Sequence, residues 1–399
     1  MKVLLSALAC EPEHGSEPEV GFRTLLAAAT KHEVWVMTMP QYVPAITRVL
    51  GDDPRAARIH FEAIAFDSRG AHLDDLPAWR FHRGYDRWQR DAAIRALELD
   101  RKIDFDVVHH ATLASYWTRA GVAAVRKPLV WGPVGGGVDP PLRLLRVLGP
   151  RGLLEATGRV FGRPAIALLP PVSRTQRRAS VILAQNPETG RRLHGRGVLM
   201  LLSNALCVGT TDGVPPGTRS TDLLFVGRLL PWKAPVLAIQ ALRHIEHPSA
   251  VLRLFGDGPE RSRLERAAIR WGLRDRVRFE GWMPRPEFLP LLAHAGALLH
   301  PAVHDEAPLS VAEALSLGTP VVALDHGGPS QIVGQFRGAP SALVSPRDPG
   351  GTARGLAMAA DRFLVRPPPV PTTAVRSTTS FEEEVLWAYE LAAAEQEEP

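Results

Sequence analysis

An α/β fold of two tandem Rossmann-like domains, each a doubly wound parallel sheet, with a cleft between them, is what this sequence predicts. Three observations carry it. The chain has 399 residues, more than one hydrophobic core of about 250–300 residues accommodates. Its first half alternates strand-like and helix-like patterns, the signature of crossover units on a parallel sheet. After a stretch rich in Asn, Gly, Thr and Pro near Ser203–Ser220, the alternation starts again. The expected boundaries are 1–205 and 206–375, with a terminal helix over 376–399 that packs back on the first domain.

In the first domain, Val3–Leu8 is an apolar run short enough for a buried strand, and a helix is expected from about Glu19 to Thr30. Met1-Lys2 followed by the seven-residue, largely apolar stretch Val3–Ala9 also has the look of a lipoprotein signal, but its length and composition suit a first strand better. Strands follow at His32–Thr38 and Ile59–Ala65, then a helix over roughly Leu76–Lys102. Phe105–His109, Leu129–Trp131 and Val181–Ala184 complete the sheet. In the second domain the strands are Asp222–Val226, Ala250–Phe255, Val277–Glu280, Ala297–His300 and Pro320–Ala323. Helices Ala234–Ile245, Arg261–Trp271, Pro286–Ala293 and Pro308–Ser316 separate them. Arg366-Pro-Pro-Pro-Val-Pro371 breaks structure before a last helix, Phe381–Ala394.

Composition excludes several classes. Hydrophobic residues at 45% and charged residues at 22% are an ordinary globular balance. Two cysteines exclude a disulfide scaffold and suit a reducing cytoplasm. No apolar run reaches the roughly 18 residues of a membrane span. The net charge of +5 is unevenly placed: residues 1–203 carry 28 basic and 20 acidic side chains, the remainder 19 and 22. The basic residues are 42 Arg and only 5 Lys. Nucleic acid is disfavoured as a partner, because no binding module accompanies the charge. Between Leu142 and Ser180 eight Arg are interleaved with Leu, Ile, Val and Phe. This Arg143–Arg178 segment suits an anionic membrane surface, and equally a solvated helical face.

Ligands of doubly wound sheets bind at the carboxyl ends of the strands, so the loops there hold the chemistry. Asp305-Glu-Ala-Pro-Leu-Ser-Val-Ala-Glu313 places one acid before a helix and a second inside it. The amides of Leu309 and Ser310 lie between, at a helix N-terminus suited to an anion. Gly227-Arg228-Leu-Leu-Pro-Trp-Lys233 puts two cations on one strand-to-helix loop, within reach of a diphosphate. Lys233 is the sole Lys after residue 203, among 18 Arg, which suggests a need for a compact point charge. Gly256, in Phe-Gly-Asp-Gly, and Trp282, in Phe-Glu-Gly-Trp, follow later strands. The loop Glu11-Pro-Glu-His-Gly15-Ser16-Glu17 follows the first strand, and His109-His110 ends another.

Taken together these motifs resemble the retaining glycosyltransferases of family 4 (group 1) and their GT-B fold, along nearly the whole chain. The family's usual Glu, seven residues, Glu motif here begins with Asp305. The resemblance implies that Asp305 contacts hydroxyls of the transferred sugar and Glu313 the nucleotide ribose. Arg228 and Lys233 would hold the donor diphosphate with Gly227, Gly256, Leu309 and Ser310. The segment around Trp282 would read the base, either by stacking or with Trp282 as a half-buried packing residue. Gly15 and Ser16 would approach the diphosphate and acceptor, and His110, with His109 as the alternative one residue out of register, would lie near the sugar. Glu306 is a second candidate acid.

The expectation is a cytoplasmic, metal-independent, retaining hexosyltransferase, peripheral on the inner membrane face if the basic segment binds lipid. It needs no cofactor. The first domain takes a glycan, glycolipid or natural-product acceptor, as in polysaccharide biosynthesis. The second takes a nucleotide-diphosphate sugar. A same-fold epimerase or phosphorylase, or a silent sugar-nucleotide-binding subunit, are the rival readings. No Gly-x-Gly-x-x-Gly follows the first strand and no Cys/His cluster has zinc spacing. Asp104-Phe-Asp106 has the metal-binding spacing of the other glycosyltransferase fold, but here it leads into a strand.

Overall fold

The computed structural model describes the chain except residues 13–15, 68–72, 74–75, 208–216, 372, 376, 378–379 and 396–399; of Ser16, Ala78, Arg151 and Cys207 it describes the backbone. The chain divides into two compact units, Met1–Gly137 with Arg163–Cys207 and Thr379–Pro399, and Val138–Gly162 with Val208–Thr378.

The first unit is built on seven parallel strands: β1 (Lys2–Ser6), β2 (Glu33–Thr38), β3 (Ile59–Ala63), β4 (Val107–His110), β5 (Leu129–Val134), β6 (Ala179–Ala184) and β7 (Val198–Leu201), in the order β3-β2-β1-β4-β5-β6-β7. The order reverses between β1 and β4, the switch point where doubly wound sheets bind ligands. Both strands are buried almost throughout. Helices α1 (Ser16–Lys31), α2 (Val43–Leu50) and α3 (Ala78–Ile103) connect the early strands. Gly21 lets α1 lie on the loop after β1, since a Cβ there would meet the Ala9 carbonyl oxygen at 2.1 Å.

The segment from 138 to 162, expected within the N-terminal domain, packs with the second unit. Its helix α4 (Gly149–Thr157) and the 3-10 turn before it insert Leu144, Val147, Leu148 and Ala156 into that unit's core. Gly152 admits Pro231, which a Cβ at 152 would meet at 2.9 Å. The basic stretch expected as one amphipathic surface is therefore divided. Arg143, Arg146, Arg151 and Arg159 belong to the second unit. Arg163, Arg174, Arg177 and Arg178, on α5 (Arg163–Ala167) and α6 (Pro170–Arg178), belong to the first. A short α7 (Pro187–Gly190) follows β6, its N-terminus capped by Asn186.

The second unit has six parallel strands: β8 (Asp222–Val226), β9 (Val251–Phe255), β10 (Val277–Gly281), β11 (Ala297–His300), β12 (Val321–Leu324) and β13 (Ser341–Val344). Their order is β10-β9-β8-β11-β12-β13, with its switch point between β8 and β11. Helices α8 (Pro235–Leu242), α9 (Arg261–Arg270), α10 (Arg285–Ala293), α11 (Leu309–Ser316), α12 (Gly328–Gln335) and α13 (Pro349–Val365) cover the sheet. Strands β7 and β13 and helices α2, α12 and α13 go beyond the elements that the sequence pattern predicts. Both extra strands are sheet edges with mostly half-exposed or exposed residues, so they lack the continuous apolar run that marks a buried strand.

The last helix, α14 (Phe381–Ala394), folds with the first unit. Ser380 caps it by accepting from the Glu383 N–H. Tyr389 is buried beneath it, its ring edge-on to His32 and to His109. No described helix is long and apolar enough to cross a membrane.

Candidate active site

In the second unit the loops after β8 and β11 are tied by the Trp232 carbonyl, which accepts from the N–H groups of Val303 (2.9 Å) and His304 (3.3 Å). This tie sets the side chains. The Lys233 ammonium donates to Asp305 Oδ2, and His300 Nε2 lies 3.0 Å from the same oxygen. The carboxylate is 11% exposed and the imidazole 3%. Burial works to raise the Asp305 pKa, but the Lys233 charge and His300 prevail and hold the carboxyl well below the usual range. Burial lowers the His300 pKa, opposed by Asp305.

Arg228 is exposed on the same loop, and no hydrogen bond or ion pair engages its guanidinium among the described residues. The floor beneath it is glycine. Gly227 and Gly256 have φ of +141° and +123°, which side chains rarely tolerate. A Cβ on Gly256 would meet the Gly227 oxygen at 2.3 Å, and one on Gly258 the Leu229 oxygen at 2.6 Å. The Gly256 N–H donates to the Gly281 carbonyl at 2.7 Å. Three loops are thus knitted by backbone alone, leaving space above them. Trp282 is 78% exposed, which removes the expectation that it is a half-buried packing residue.

Leu309 and Ser310 open α11, whose N-terminus has no side-chain cap. Glu313, one turn on, accepts from Arg285 Nε at 2.7 Å. Glu306 is turned away from this group: its Oε1 accepts the Val138 N–H at 3.0 Å. The loop is buttressed further by His304. A carbonyl only accepts, so His304 Nδ1 donates to Val138 O at 2.6 Å, and Nε2 accepts from Arg159. The Arg159 guanidinium lies 5.0 Å above the Trp232 ring.

In the first unit both histidines of β4 are wholly buried. His109 Nε2 donates to Gly132 O (2.7 Å), so Nδ1 accepts from the Tyr389 hydroxyl (2.8 Å). His110 Nδ1 meets Ser6 Oγ at 3.2 Å and its Nε2 meets Tyr85 Oη at 3.0 Å. Tyr85 also donates to Leu113 O. One arrangement satisfies the set: Ser6 donates to Nδ1, Nε2–H donates to Tyr85, and Tyr85 donates onward. Both His110 nitrogens are therefore committed within the chain, at the end of β4 where the sequence sets it near the expected sugar. Glu17 accepts from Leu113 N (2.7 Å) and Asn204 Nδ2 (3.0 Å) beside this network. Gly15 lies outside the described residues, and Ser16 is the first residue of α1.

Burial pushes the His109 pKa down to about 4 and that of His110 to about 3, from an ordinary 6.5. Both stay neutral in the folded chain while the unfolded chain takes up protons. Their stabilising contribution is complete above pH 6.5 and is lost as pH falls towards 4. Two protons correspond to about 2.7 kcal/mol per pH unit, less the opposing effect of Glu17, whose pKa burial raises. Urea midpoints should stay nearly level from about pH 7.5 to 7 and fall from there to about pH 5; midpoints that stay level or rise below about pH 6.5 would contradict this assignment.

The candidates Lys233, Asp305 and Arg228 thus share one end of one sheet, with Gly227, Gly256, Leu309, Ser310 and Glu313 on the adjoining loops and helix. Sequence reasoning missed His300, Tyr85 and Tyr389. Tyr85 sits on the apolar stripe of α3 and reads as core, and Tyr389 is 280 residues from its partner. Asp104 and Asp106 lie at the amino end of β4, engaged by Lys127 and by the Lys2 N–H respectively. Among the described residues no group of three or more His, Cys, Asp or Glu has the geometry of a metal site.

Residues 214–359 match the sequence family described as glycosyl transferases group 1, a stretch that contains Arg228, Lys233, Asp305 and Glu313. The chain is 36% identical over 148 residues to a 2-deoxystreptamine glucosyltransferase of Streptomyces kanamyceticus, 37% of either chain. It is 27% identical over 379 residues to a D-inositol 3-phosphate glycosyltransferase of Frankia alni, covering 86% of this chain and 84% of that one. The first curated relatives are matched over only 37% and 25% of their length. Among solved structures, Anabaena Alr3699/HepE in complex with UDP and glucose aligns with 99% of each chain, at a TM-score of 0.57 and 18% identity. The lipopolysaccharide outer core galactosyltransferase WaaB aligns at 0.58 and 13% identity, over 99% of this chain and 97% of that one. The two parallel sheets are the GT-B fold.

Proposed function

We propose that this chain, with a GT-B fold and a glycosyl transferases group 1 stretch in its second unit, is a retaining, metal-independent transferase of family 4. It moves a sugar from a nucleotide-diphosphate donor to a glycan, glycolipid or natural-product acceptor. The observation that carries the reading is the Lys233–Asp305–His300 cluster at the switch point of the second sheet, with Arg228 on the loop beside it. UDP and glucose in the HepE structure, and the sugar transfer named for the relatives, support it.

In this reading the donor diphosphate draws the Lys233 ammonium away from Asp305. Arg228, Lys233 and the amides of Leu309 and Ser310 then neutralise the charge that develops on the leaving group. Asp305, released, binds hydroxyls of the sugar, and Glu313 binds those of the ribose. Trp282, exposed after β10, would stack on the base. The acceptor oxygen attacks the anomeric carbon on the face the diphosphate is leaving. The C–O electron pair departs with the diphosphate, whose oxygen takes the acceptor's proton. His110, neutral and fixed through Ser6 and Tyr85, is a positioning residue beneath the first unit's switch point. The acceptor is bound by the first unit, in the cytoplasm.

Screening nucleotide sugars, UDP-glucose first, against mono- and disaccharide acceptors in EDTA tests the reading. Transfer supports it. Turnover to an epimerised donor, phosphorolysis, or binding without turnover each replaces it with a rival function.

We also propose that residues 142–161 rest on an anionic membrane surface. Leu142, Leu154 and Phe161 are 82%, 77% and 73% exposed, next to exposed Arg143 and Arg146. Flotation with phosphatidylglycerol vesicles should be lost in Arg143→Glu/Arg146→Glu. Unchanged flotation would sink this proposal.

A further inference from the structure

The first unit holds a cavity of about 830 Å³ along the N-terminal half of α3. Its size is that of a small-ligand site. Arg80, Arg83, Arg87 and Arg90 line it, at spacings of three, four and three that put them on one helix face. The opposite face, with Tyr85, Trp88, Ala92, Ala96 and Leu99, is buried in the core. Gly84, which also lines it, packs on Phe66, whose ring a Cβ there would meet at 2.7 Å. Trp79, 70% exposed, stands at the rim.

Like charges at these spacings repel and weaken a helix, so a row of four needs compensation. Three aspartates also line the cavity, but the compensation is incomplete. Asp86 is occupied by Arg90 and, at 2.8 Å, by Arg119. Arg83 and Arg87 have no ion pair or hydrogen bond among the described residues. Arg80 Nη2 is buried with no hydrogen-bond partner, a costly state for a guanidinium nitrogen unless a ligand completes it. Planar guanidinium forks side by side suit the oxygens of a phosphate, which they bind bidentately. An exposed indole beside them suits the face of a sugar ring or a hydrocarbon.

We infer that this cavity binds the phosphate or diphosphate group of the acceptor, through Arg80, Arg83 and Arg87, with Trp79 against the adjoining ring or chain. The inference rests on the reading of the first unit as the acceptor unit. It narrows the acceptor to a phosphorylated one. The site shares α3 with Tyr85, whose hydroxyl meets His110, so an occupant would lie on the helix that also braces the switch point.

Pyrophosphate is the probe. Because the second unit is itself expected to take a diphosphate, calorimetric titration is made on the full chain carrying Lys233→Ala. One pyrophosphate per chain should still bind, and Arg83→Gln/Arg87→Gln should weaken it about ten-fold or more. Both arginines are exposed, and a thermal melt confirms that the variant folds. Arg270→Gln/Arg274→Gln, the same charge change on the second unit, should leave binding unaltered. Absence of pyrophosphate binding in the Lys233→Ala background overturns the inference, as does equal weakening by both charge changes. Loss of flotation with phosphatidylglycerol vesicles in Arg83→Gln/Arg87→Gln, without pyrophosphate binding to the parent, also overturns it, in favour of a membrane patch. No nucleotide sugar is present, so failure here leaves sugar transfer standing, and failure of transfer leaves the cavity standing.

Discussion

Lys233→Ala is expected to lower kcat/KM for the nucleotide sugar by about 10²–10³-fold. That is the usual cost of removing one preorganised group that stabilises charge in the transition state. The ammonium is held on Asp305 before any ligand arrives, so little reorganisation precedes its transfer to the diphosphate. The substitution also strands a largely buried carboxylate with only His300 beside it, which destabilises the second unit. The two effects separate in a cycle with Asp305→Asn. Stability should recover in the double variant because the unpaired charge is gone, whereas activity should not. Lys233→Arg should rescue poorly, because a planar fork does not replace a compact ammonium in that geometry. Initial rates beside urea unfolding give both quantities. A loss of kcat/KM below about three-fold would remove Lys233 from the chemistry.

Gly256→Ala should have the second large effect, through the backbone. At φ +123° an alanine is strained, and its methyl would lie 2.3 Å from the Gly227 oxygen. Neither partner can yield cheaply, because Gly227 carries the loop of Arg228 and Gly256 is bonded to Gly281. A destabilisation of about 2–4 kcal/mol is expected, with nucleotide-sugar affinity reduced about ten-fold or more as the loops part. Gly272→Ala is the control. Gly272 has φ +68° but nothing within 4 Å of an added Cβ, so it should cost about 1 kcal/mol and leave affinity alone. Equal effects from the two substitutions would show that conformational strain, not the packed glycine floor, sets the result.

Much of the fold was legible because buried parallel strands are continuous apolar runs. β4, β8 and β11 are recognisable from a few residues each. The candidates in the second unit were legible as one group because they sit at fixed offsets after such strands, where local spacing decides what shares a loop. What was not legible depends on distant partners. Nothing near His109 announces Tyr389, and nothing near Asp305 announces that Lys233 holds it in the resting chain. The allegiance of residues 138–162 was hidden for the same reason. Leu144, Val147, Leu148 and Ala156 show an apolar spacing, but spacing does not say which core they enter. The row of arginines on α3 was visible only as a basic half. It becomes a cavity once Asp67 and Pro77, from the segment before α3, line it with them.

The central claim is that Arg228, Lys233 and Asp305 serve front-face transfer of a sugar without a metal. The most direct test is a proton NMR record of one reaction, an α-configured nucleotide sugar with a competent acceptor in EDTA, followed from the first turnover. An α-linked product that forms as the donor signal falls, at a rate unaffected by EDTA, is the predicted result. A β-linked product, or transfer that stops in EDTA and returns with a divalent cation, would contradict it.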